Sequence, residues 1–175
     1  RILIVGDFDA DGATASAVAV KALRMMGAKF VDFLVPNRFE HGYGLSPEIV
    51  NKAKKEKDPD LIITVDNGIS SIEGTSLARS LGIDVIITDH HPPPIILPDA
   101  NAIINPNLKG CKFPSKNLAG VGVCFYLFSA LKTHLESLSY FEKHQISVPD
   151  LRELLDLVAA IGEGGGLLRY LGRCW

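Results

Sequence analysis

Apolar residues in this chain occur as short continuous runs that alternate with longer stretches of helical periodicity. Continuous apolar runs are typical of strands whose two faces are both covered by helices. The pattern predicts five strands, at residues 2–5, 29–35, 61–65, 85–88 and 102–104. It also predicts helices at residues 12–26, 47–57, 71–81 and 118–138, and a last one that begins at about residue 149.

The alternation of strands and helices predicts an α/β fold. We expect a Rossmann-like three-layer sandwich with a mainly parallel five-stranded sheet in the order 2-1-3-4-5, followed by a helical C-terminal part. Ser46 and Pro47 are typical of a helix start, and Gly27 and Gly82 are typical of residues that follow a helix end. In such sheets ligands bind outside the carboxyl ends of the strands, at the switch point of the strand order.

Composition narrows the class of protein. A chain of 175 residues with 47% hydrophobic and 22% charged residues fits one globular domain. The net charge of -2 argues against bulk attraction to nucleic acid, although a bound divalent cation would change the local sign. Cys111, Cys124 and Cys174 lack metal-ligand spacing, so we expect reduced thiols and a cytoplasmic location. No apolar run is long enough to predict a membrane span, and no signal peptide is visible.

Three carboxylates follow the first predicted strand and alternate with small or apolar residues. If the strand continued through them, Asp7, Asp9 and Asp11 would lie on one face. Three like charges on one face repel, and a bound cation is a natural way to hold them together. The alternative is an acidic turn at a strand end, where Asp and Gly are common for backbone reasons.

Two later strands also end in residues that bind metals. The third strand ends in Asp66 and the fourth ends in Asp89-His90-His91. In the order 2-1-3-4-5 these residues would converge with the acidic run after the first strand. Mixed carboxylate and imidazole ligands suit manganese, iron, zinc or magnesium. Shared carboxylates can also hold two cations ~3.5–4 Å apart, as a phosphoryl displacement requires.

These segments carry a family resemblance. Three of them resemble the first three motifs of the DHH phosphoesterase superfamily: Asp-Phe-Asp-Ala-Asp-Gly at 7–12, Val-Asp-Asn-Gly at 65–68 and Asp-His-His at 89–91. Three more are similar to the RecJ-type single-stranded-DNA-specific 5′→3′ exonucleases within it: residues 37–44, 104–107 and 118–122. The resemblance implies a two-metal, Mn²⁺- or Mg²⁺-dependent phosphodiester hydrolase that releases 5′-mononucleotides. It also implies DNA repair and recombination proteins as partners.

By motif position, the resemblance assigns roles to individual side chains. It implies four catalytic metal ligands, namely Asp9, Asp11, Asp66 and His90. Asp7 and Asp89 would support these ligands. His91 would be a further catalytic residue that faces the scissile phosphate, to which its ring can donate a hydrogen bond.

Four more residues are candidates for substrate binding. Arg38 can contact a phosphate bidentately and Tyr43 can stack on an unpaired base, although ordinary surface contacts of their loop are the alternative. The backbone N–H groups of Gly120 and Gly122 can face a phosphate at a helix start. Close helix packing is an equally good explanation of these two glycines.

The C-terminal residues depart from the family pattern. The fourth motif, Gly-Thr-Val-Ala-Asp, would follow residues 155–159 and would supply an Asp that bridges both metals. No Asp follows Asp156 in this chain; the expected position falls near Gly165, and Glu163 is a nearby carboxylate that is out of register. We therefore expect residues 1–160 to form a partial DHH domain and residues 161–175 to be an aberrant or truncated tail, produced by a frameshift or a shortened gene.

The missing motif leaves three functions open. The first is a RecJ-type exonuclease whose activity is impaired. The second is a DHH phosphodiesterase that acts on short oligonucleotides, cyclic dinucleotides or pyrophosphate. The third is an inactive, degenerate fragment or a receiver-like acidic module, and a module of that kind would not need His90 and His91.

Overall fold

A computed structural model of the chain describes residues 1–37 and 42–162. Five strands form one parallel sheet in the order β2-β1-β3-β4-β5, as the sequence predicts. The strands are β1 (Ile2–Gly6), β2 (Val31–Leu34), β3 (Leu61–Val65), β4 (Asp84–Thr88) and β5 (Ala102–Ile104). The carboxyl ends of β1, β3 and β4 are therefore neighbours at one edge of the sheet.

Helices cover both faces of this sheet. They are α1 (Ala10–Met25), α2 (Pro47–Glu56), α3 (Ile72–Ser80), α4 (Gly120–Ser137), α5 (Tyr140–Lys143) and α6 (Leu155–Gly162), with a 3₁₀ helix at Leu151–Leu154 before α6. Alternate strand residues point to opposite faces. Ile4 and Ile63 pack into a core with α1, α4 and α6, whereas Leu3 and Ile62 pack into a core with α2 and α3.

The first strand does not continue through the acidic run. It ends at Gly6, and α1 begins at Ala10. The physical reason is local capping, because the Asp9 carboxylate accepts a hydrogen bond from the Gly12 amide at 2.9 Å and so satisfies an otherwise unpaired donor of the first helical turn. The condition under which all three Asp residues would lie on one strand face is therefore not met.

Other differences concern the ends of elements. Strand β2 is shorter than the predicted 29–35 segment. The C-terminal helical part opens with the 3₁₀ turn, where Asp150 accepts a hydrogen bond from the Arg152 amide at 3.0 Å. Helix α5 was not predicted; it follows Ser139, whose left-handed backbone (φ 52°) separates it from α4.

In the described residues no helix has the length and apolar character of a membrane span. The predicted tail, with Glu163 and Gly165, lies outside the described residues apart from its first two positions.

Candidate metal centre

The edge formed by β1, β3 and β4 brings together two groups of possible metal ligands. One ligand atom each from Asp7, Asp9 and Asp66 lies within 4.8 Å of the others. The same holds for Asp66, His90 and His91. Asp66 belongs to both groups, so its carboxylate lies where two neighbouring cations would share a ligand. Oxygen and imidazole donors of this kind suit Mn²⁺ or Mg²⁺ better than a soft metal.

Asp66 is the buried centre of this arrangement. Its backbone is left-handed (φ 62°), a conformation that a residue other than glycine adopts at an energetic cost. Its Oδ1 is buried and receives no hydrogen bond from the described residues, although His90 Nε2 lies 3.0 Å away. A buried carboxylate oxygen without a donor is costly, and a cation would remove that cost. The donor set therefore fits a metal ion.

The protonation of Asp66 and His90 follows from this burial. Desolvation raises the pKa of Asp66 from 3.8 to about 6, and the neighbouring His90 only partly opposes this effect. The Asp66 carboxylate in turn raises the pKa of His90, against the opposing effect of burial. A bound divalent cation would favour the ionised carboxylate and the neutral imidazole. Metal binding at this site should therefore release protons.

His91 is oriented by the buried carboxylate of Asp89. Asp89 Oδ1 lies 2.7 Å from His91 Nδ1 and also accepts hydrogen bonds from the His90 and His91 amides. Its Oδ2 accepts a hydrogen bond from the Ile69 amide at 2.9 Å. These contacts occupy Asp89, which fits a supporting role. They also leave Nε2 as the His91 nitrogen that remains for a ligand or a phosphate oxygen.

Asp11 has a partner that the sequence did not reveal. Its two carboxylate oxygens accept hydrogen bonds from the backbone amides of Gly120 and Val121, both at 2.7 Å, and so cap the start of α4. Ala119, which precedes α4, supplies no side-chain cap of its own. Asp11 Oδ2 also lies 3.8 Å from His90 Nε2. Because each carboxylate oxygen has a second lone pair, the predicted metal role of Asp11 stays compatible with this cap.

The two glycines at the start of α4 pack closely rather than facing an open cleft. A Cβ atom at Gly120 would lie 2.2 Å from Asp66 Oδ1, so only glycine fits beside that carboxylate. The Gly120 amide donates to Asp11, and the Gly122 amide donates to the Ala119 carbonyl at 2.9 Å. This geometry favours close packing, and phosphate binding by Gly120 and Gly122 stays a prediction.

A cavity of about 670 Å³ opens beside the candidate ligands, and its lining includes Tyr43, Ser46, Ile69, Ser71, Asp89 and His91. The Tyr43 ring is half-exposed and stands edge-on to His91, with the ring centroids 6.4 Å apart. Partial burial and the nearby Asp7 carboxylate raise the pKa of Tyr43, so the phenol stays protonated. Tyr43 therefore lines the cavity next to His91, and its contact with a base stays a prediction. Arg38 lies outside the described residues.

Three asparagines next to the candidate ligands received no role from the sequence. Asn67 is fully buried, and its Nδ2 donates hydrogen bonds to the carbonyls of Val5 at 3.0 Å and Val65 at 2.9 Å. It therefore links the ends of β1 and β3, two residues before Asp7 and one before Asp66. Asn105 and Asn107 contact the histidine pair in a similar way. In the sequence, the one indication that these asparagines have a role was their position within the motifs at 65–68 and 104–107.

Comparison with known proteins agrees with this geometry. Residues 1–160 match the DHH family, N-terminal domain. Over 159 residues, 91% of this chain, the sequence is 61% identical to the single-stranded-DNA-specific exonuclease RecJ of Escherichia coli strain K12. Over 162 residues it is 46% identical to the RecJ of Bacillus subtilis strain 168. The chain spans 27% and 18% of these two relatives.

Two solved structures with similar folds contain manganese. A crystal structure of exonuclease RecJ bound to manganese covers 95% of this chain with a TM-score of 0.75 and 34% identity, and the match spans 40% of that protein. The RecJ of Thermus thermophilus in complex with Mn²⁺ covers 91% of this chain with a TM-score of 0.65 and 31% identity, over 20% of that protein.

Proposed function

The chain belongs to the DHH family, and on that premise we propose that it carries the metal centre of a RecJ-type 5′→3′ exonuclease acting on single-stranded DNA. The observation that carries the proposal is the pair of ligand groups that share Asp66. Both relatives named above are single-stranded-DNA-specific exonucleases, and the two similar structures bind manganese. Because the chain spans about a quarter of the Escherichia coli relative, the activity of the whole protein belongs to this proposal.

In the proposed site, Asp9, Asp11, Asp66 and His90 would hold Mn²⁺ or Mg²⁺, and Asp7 lies close enough to Asp9 and Asp66 to join them. The bound metal would supply an activated water and would neutralise charge on the phosphate. The chain's own residues orient these parts. Asp66, which belongs to both ligand groups, would contribute its carboxylate to either cation.

His91 would act on the substrate rather than on the water. With Nδ1 held by Asp89, its Nε2 can donate a hydrogen bond to a phosphate oxygen as negative charge develops there. Tyr43, at the rim of the 670 Å³ cavity, would stack on the terminal base. Arg38, which lies outside the described residues, would contact a phosphate. A single strand can place an unpaired base in such a cavity, which would give the proposed preference for single-stranded DNA.

We also propose domain boundaries, a cellular location and partner proteins for the chain. Residues 1–160 would form the DHH domain, as the family match indicates, and residues 161–175 would form an aberrant tail without the fourth motif. The absence of that carboxylate from its expected place should impair catalysis. A DNA substrate and reduced thiols at Cys111 and Cys124 fit the cytoplasm, with DNA repair and recombination proteins as partners.

A direct test compares substrates. Release of 5′-mononucleotides from 5′-phosphorylated single-stranded DNA is measured in Mn²⁺, next to double-stranded DNA, a dinucleotide and pyrophosphate. We expect slow, metal-dependent hydrolysis of single-stranded DNA that Asp66→Asn abolishes. Preferred cleavage of the dinucleotide would instead support the second candidate, a phosphodiesterase of short oligonucleotides, which the size of the cavity also accommodates. Metal-independent activity, or activity retained by Asp66→Asn, would contradict both.

A further inference from the structure

We propose that Asn105 and Asn107 are positioning residues that hold the two histidines of the metal centre through their backbone carbonyls. Asn105 Nδ2 donates a hydrogen bond to the His91 carbonyl at 2.9 Å. Asn107 Nδ2 donates to the His90 carbonyl at 2.5 Å. Neither asparagine is near enough in sequence to the histidines for this to be a local turn. The inference rests on the proposed metal-binding function of His90.

The need for these contacts follows from where the sheet ends. Strand β5 has only three residues, and its pairing with β4 stops at Thr88 and Ile104. One further backbone hydrogen bond, from the Asp89 amide to the Ile104 carbonyl at 3.1 Å, extends this edge. The histidines lie beyond that point, where no strand of the described sheet supports them. The two asparagine side chains continue the pattern of hydrogen bonds for two more residues.

The orientation of the Asn105 amide is fixed by its own surroundings. Asn105 is buried, and its Oδ1 accepts a hydrogen bond from the Asn107 amide at 2.8 Å, so its Nδ2 must face His91. Lys116 anchors the same loop by donating to the Pro106 carbonyl and to the Cys111 carbonyl at 2.9 Å. These contacts tie the loop down at Pro106 and Cys111 and hold the Asn105 donor towards His91.

Holding a carbonyl sets the direction of the side chain next to it. The peptide planes on either side of His90 and His91 determine where their Cβ atoms point, and these two rings must reach different partners. His90 Nε2 lies 3.0 Å from Asp66 Oδ1, whereas His91 Nδ1 lies 2.7 Å from Asp89 Oδ1. A rotation of either peptide would move one ring out of reach. Groups that orient metal ligands affect affinity even though they do not touch the metal.

The test uses the 175-residue chain with Asn105→Ala and Asn107→Ala. Asn101→Ala is the matched control, because Asn101 makes similar contacts at the opposite end of β4, accepting from the Val85 amide and donating to Asp84, both at 2.8 Å. Three quantities are measured for each protein: Mn²⁺ affinity by calorimetry, the thermal unfolding midpoint, and the ¹H–¹³C ring resonances of the histidines in the metal-free chain.

We expect Asn105→Ala and Asn107→Ala to weaken Mn²⁺ binding by about 10- to 100-fold, as the loss of a group that orients a metal ligand typically does. Their His90 and His91 resonances should shift or broaden. Asn101→Ala should lower the unfolding midpoint without either effect. If the two variants bind Mn²⁺ as Asn101→Ala does and keep the wild-type resonances, the inference is wrong. If the wild-type chain binds no Mn²⁺, the proposed function fails, and the histidine resonances alone decide whether the asparagines position the rings.

Discussion

Replacing Asp66 with asparagine should make the metal-free chain less sensitive to pH while it abolishes metal binding. Burial raises the pKa of Asp66 to about 6 from 3.8, and the side chain is almost completely buried. Because the folded pKa lies above the unfolded one, this carboxyl contributes stability that is complete below pH 3.8 and is lost as the pH rises through about 6. At neutral pH, the ionised carboxylate is a cost of folding that a metal would offset.

The magnitude follows from the size of the pKa difference. A shift of about two pKa units corresponds to about 3 kcal/mol, and about half of this falls between pH 5 and pH 8. His90 acts in the same direction, because Asp66 raises its pKa and the resulting stability is also lost as the pH rises through the folded value. The difference in unfolding free energy between Asp66→Asn and wild type should therefore move by at least about 1.5 kcal/mol in favour of the variant between pH 5 and pH 8.

The assay is urea unfolding of both proteins in a chelator at pH 5 and pH 8. The comparison between the two proteins removes the contributions of all other titrating groups that the substitution leaves unchanged. A parallel calorimetric titration should show Mn²⁺ affinity of the wild type rising with pH through about 6, since binding requires an ionised Asp66. A free-energy difference that is the same at both pH values would refute the reasoning, because it would mean that Asp66 is not a desolvated carboxyl.

Three further substitutions test the surroundings of the site. Asp11→Ala should lower the unfolding free energy in urea by about 1–3 kcal/mol, because two amides at the start of α4 lose their acceptor. A loss as small as that of Asp99→Ala, at a carboxylate that is exposed, would contradict the capping role. Asn67→Ala should lower the free energy of unfolding by about 1–3 kcal/mol and weaken Mn²⁺ binding, because the ends of β1 and β3 lose the hydrogen bonds that link them. An unchanged Mn²⁺ affinity by calorimetry would contradict this prediction. Gly120→Ala should lower the free energy of unfolding by about 1–3 kcal/mol through overpacking, since its Cβ would lie 2.2 Å from Asp66 Oδ1. An unchanged thermal unfolding midpoint would contradict this prediction and would show that α4 can move.

The sequence predicted the sheet because its strands are defined by local apolar runs. Those runs, alternating with helical stretches, predicted a parallel sheet, and the expected order 2-1-3-4-5, which the structure confirms, brings Asp66 and His90 to one edge. The patterns did not predict how the acidic run is built, because side-chain alternation places its three carboxylates on one face only if β1 continues through them, and β1 ends at Gly6. The hydrogen bond between the Asp9 carboxylate and the Gly12 amide starts a helix at that point instead.

Contacts between distant parts of the chain were beyond the reach of sequence patterns. The Asp11 carboxylate accepts hydrogen bonds from amides that are more than a hundred residues away in the sequence. No local sequence pattern around Asp11 or around Gly120 predicts this contact. The support of the histidines by Asn105 and Asn107 likewise depends on how far β5 extends beside β4. Such contacts depend on three-dimensional neighbours, and they include the ones that hold the candidate ligands in place.

The central claim is that this edge of the sheet binds metal ions around a shared Asp66. Anomalous scattering from crystals of the chain soaked in Mn²⁺ tests this claim most directly. We expect a manganese peak in contact with Asp66 and His90, and a second, weaker peak on the side of Asp7 and Asp9, because the fourth-motif carboxylate is missing from its expected place. Manganese bound only elsewhere on the chain, or no peak beside Asp66 at saturating Mn²⁺, would contradict the account.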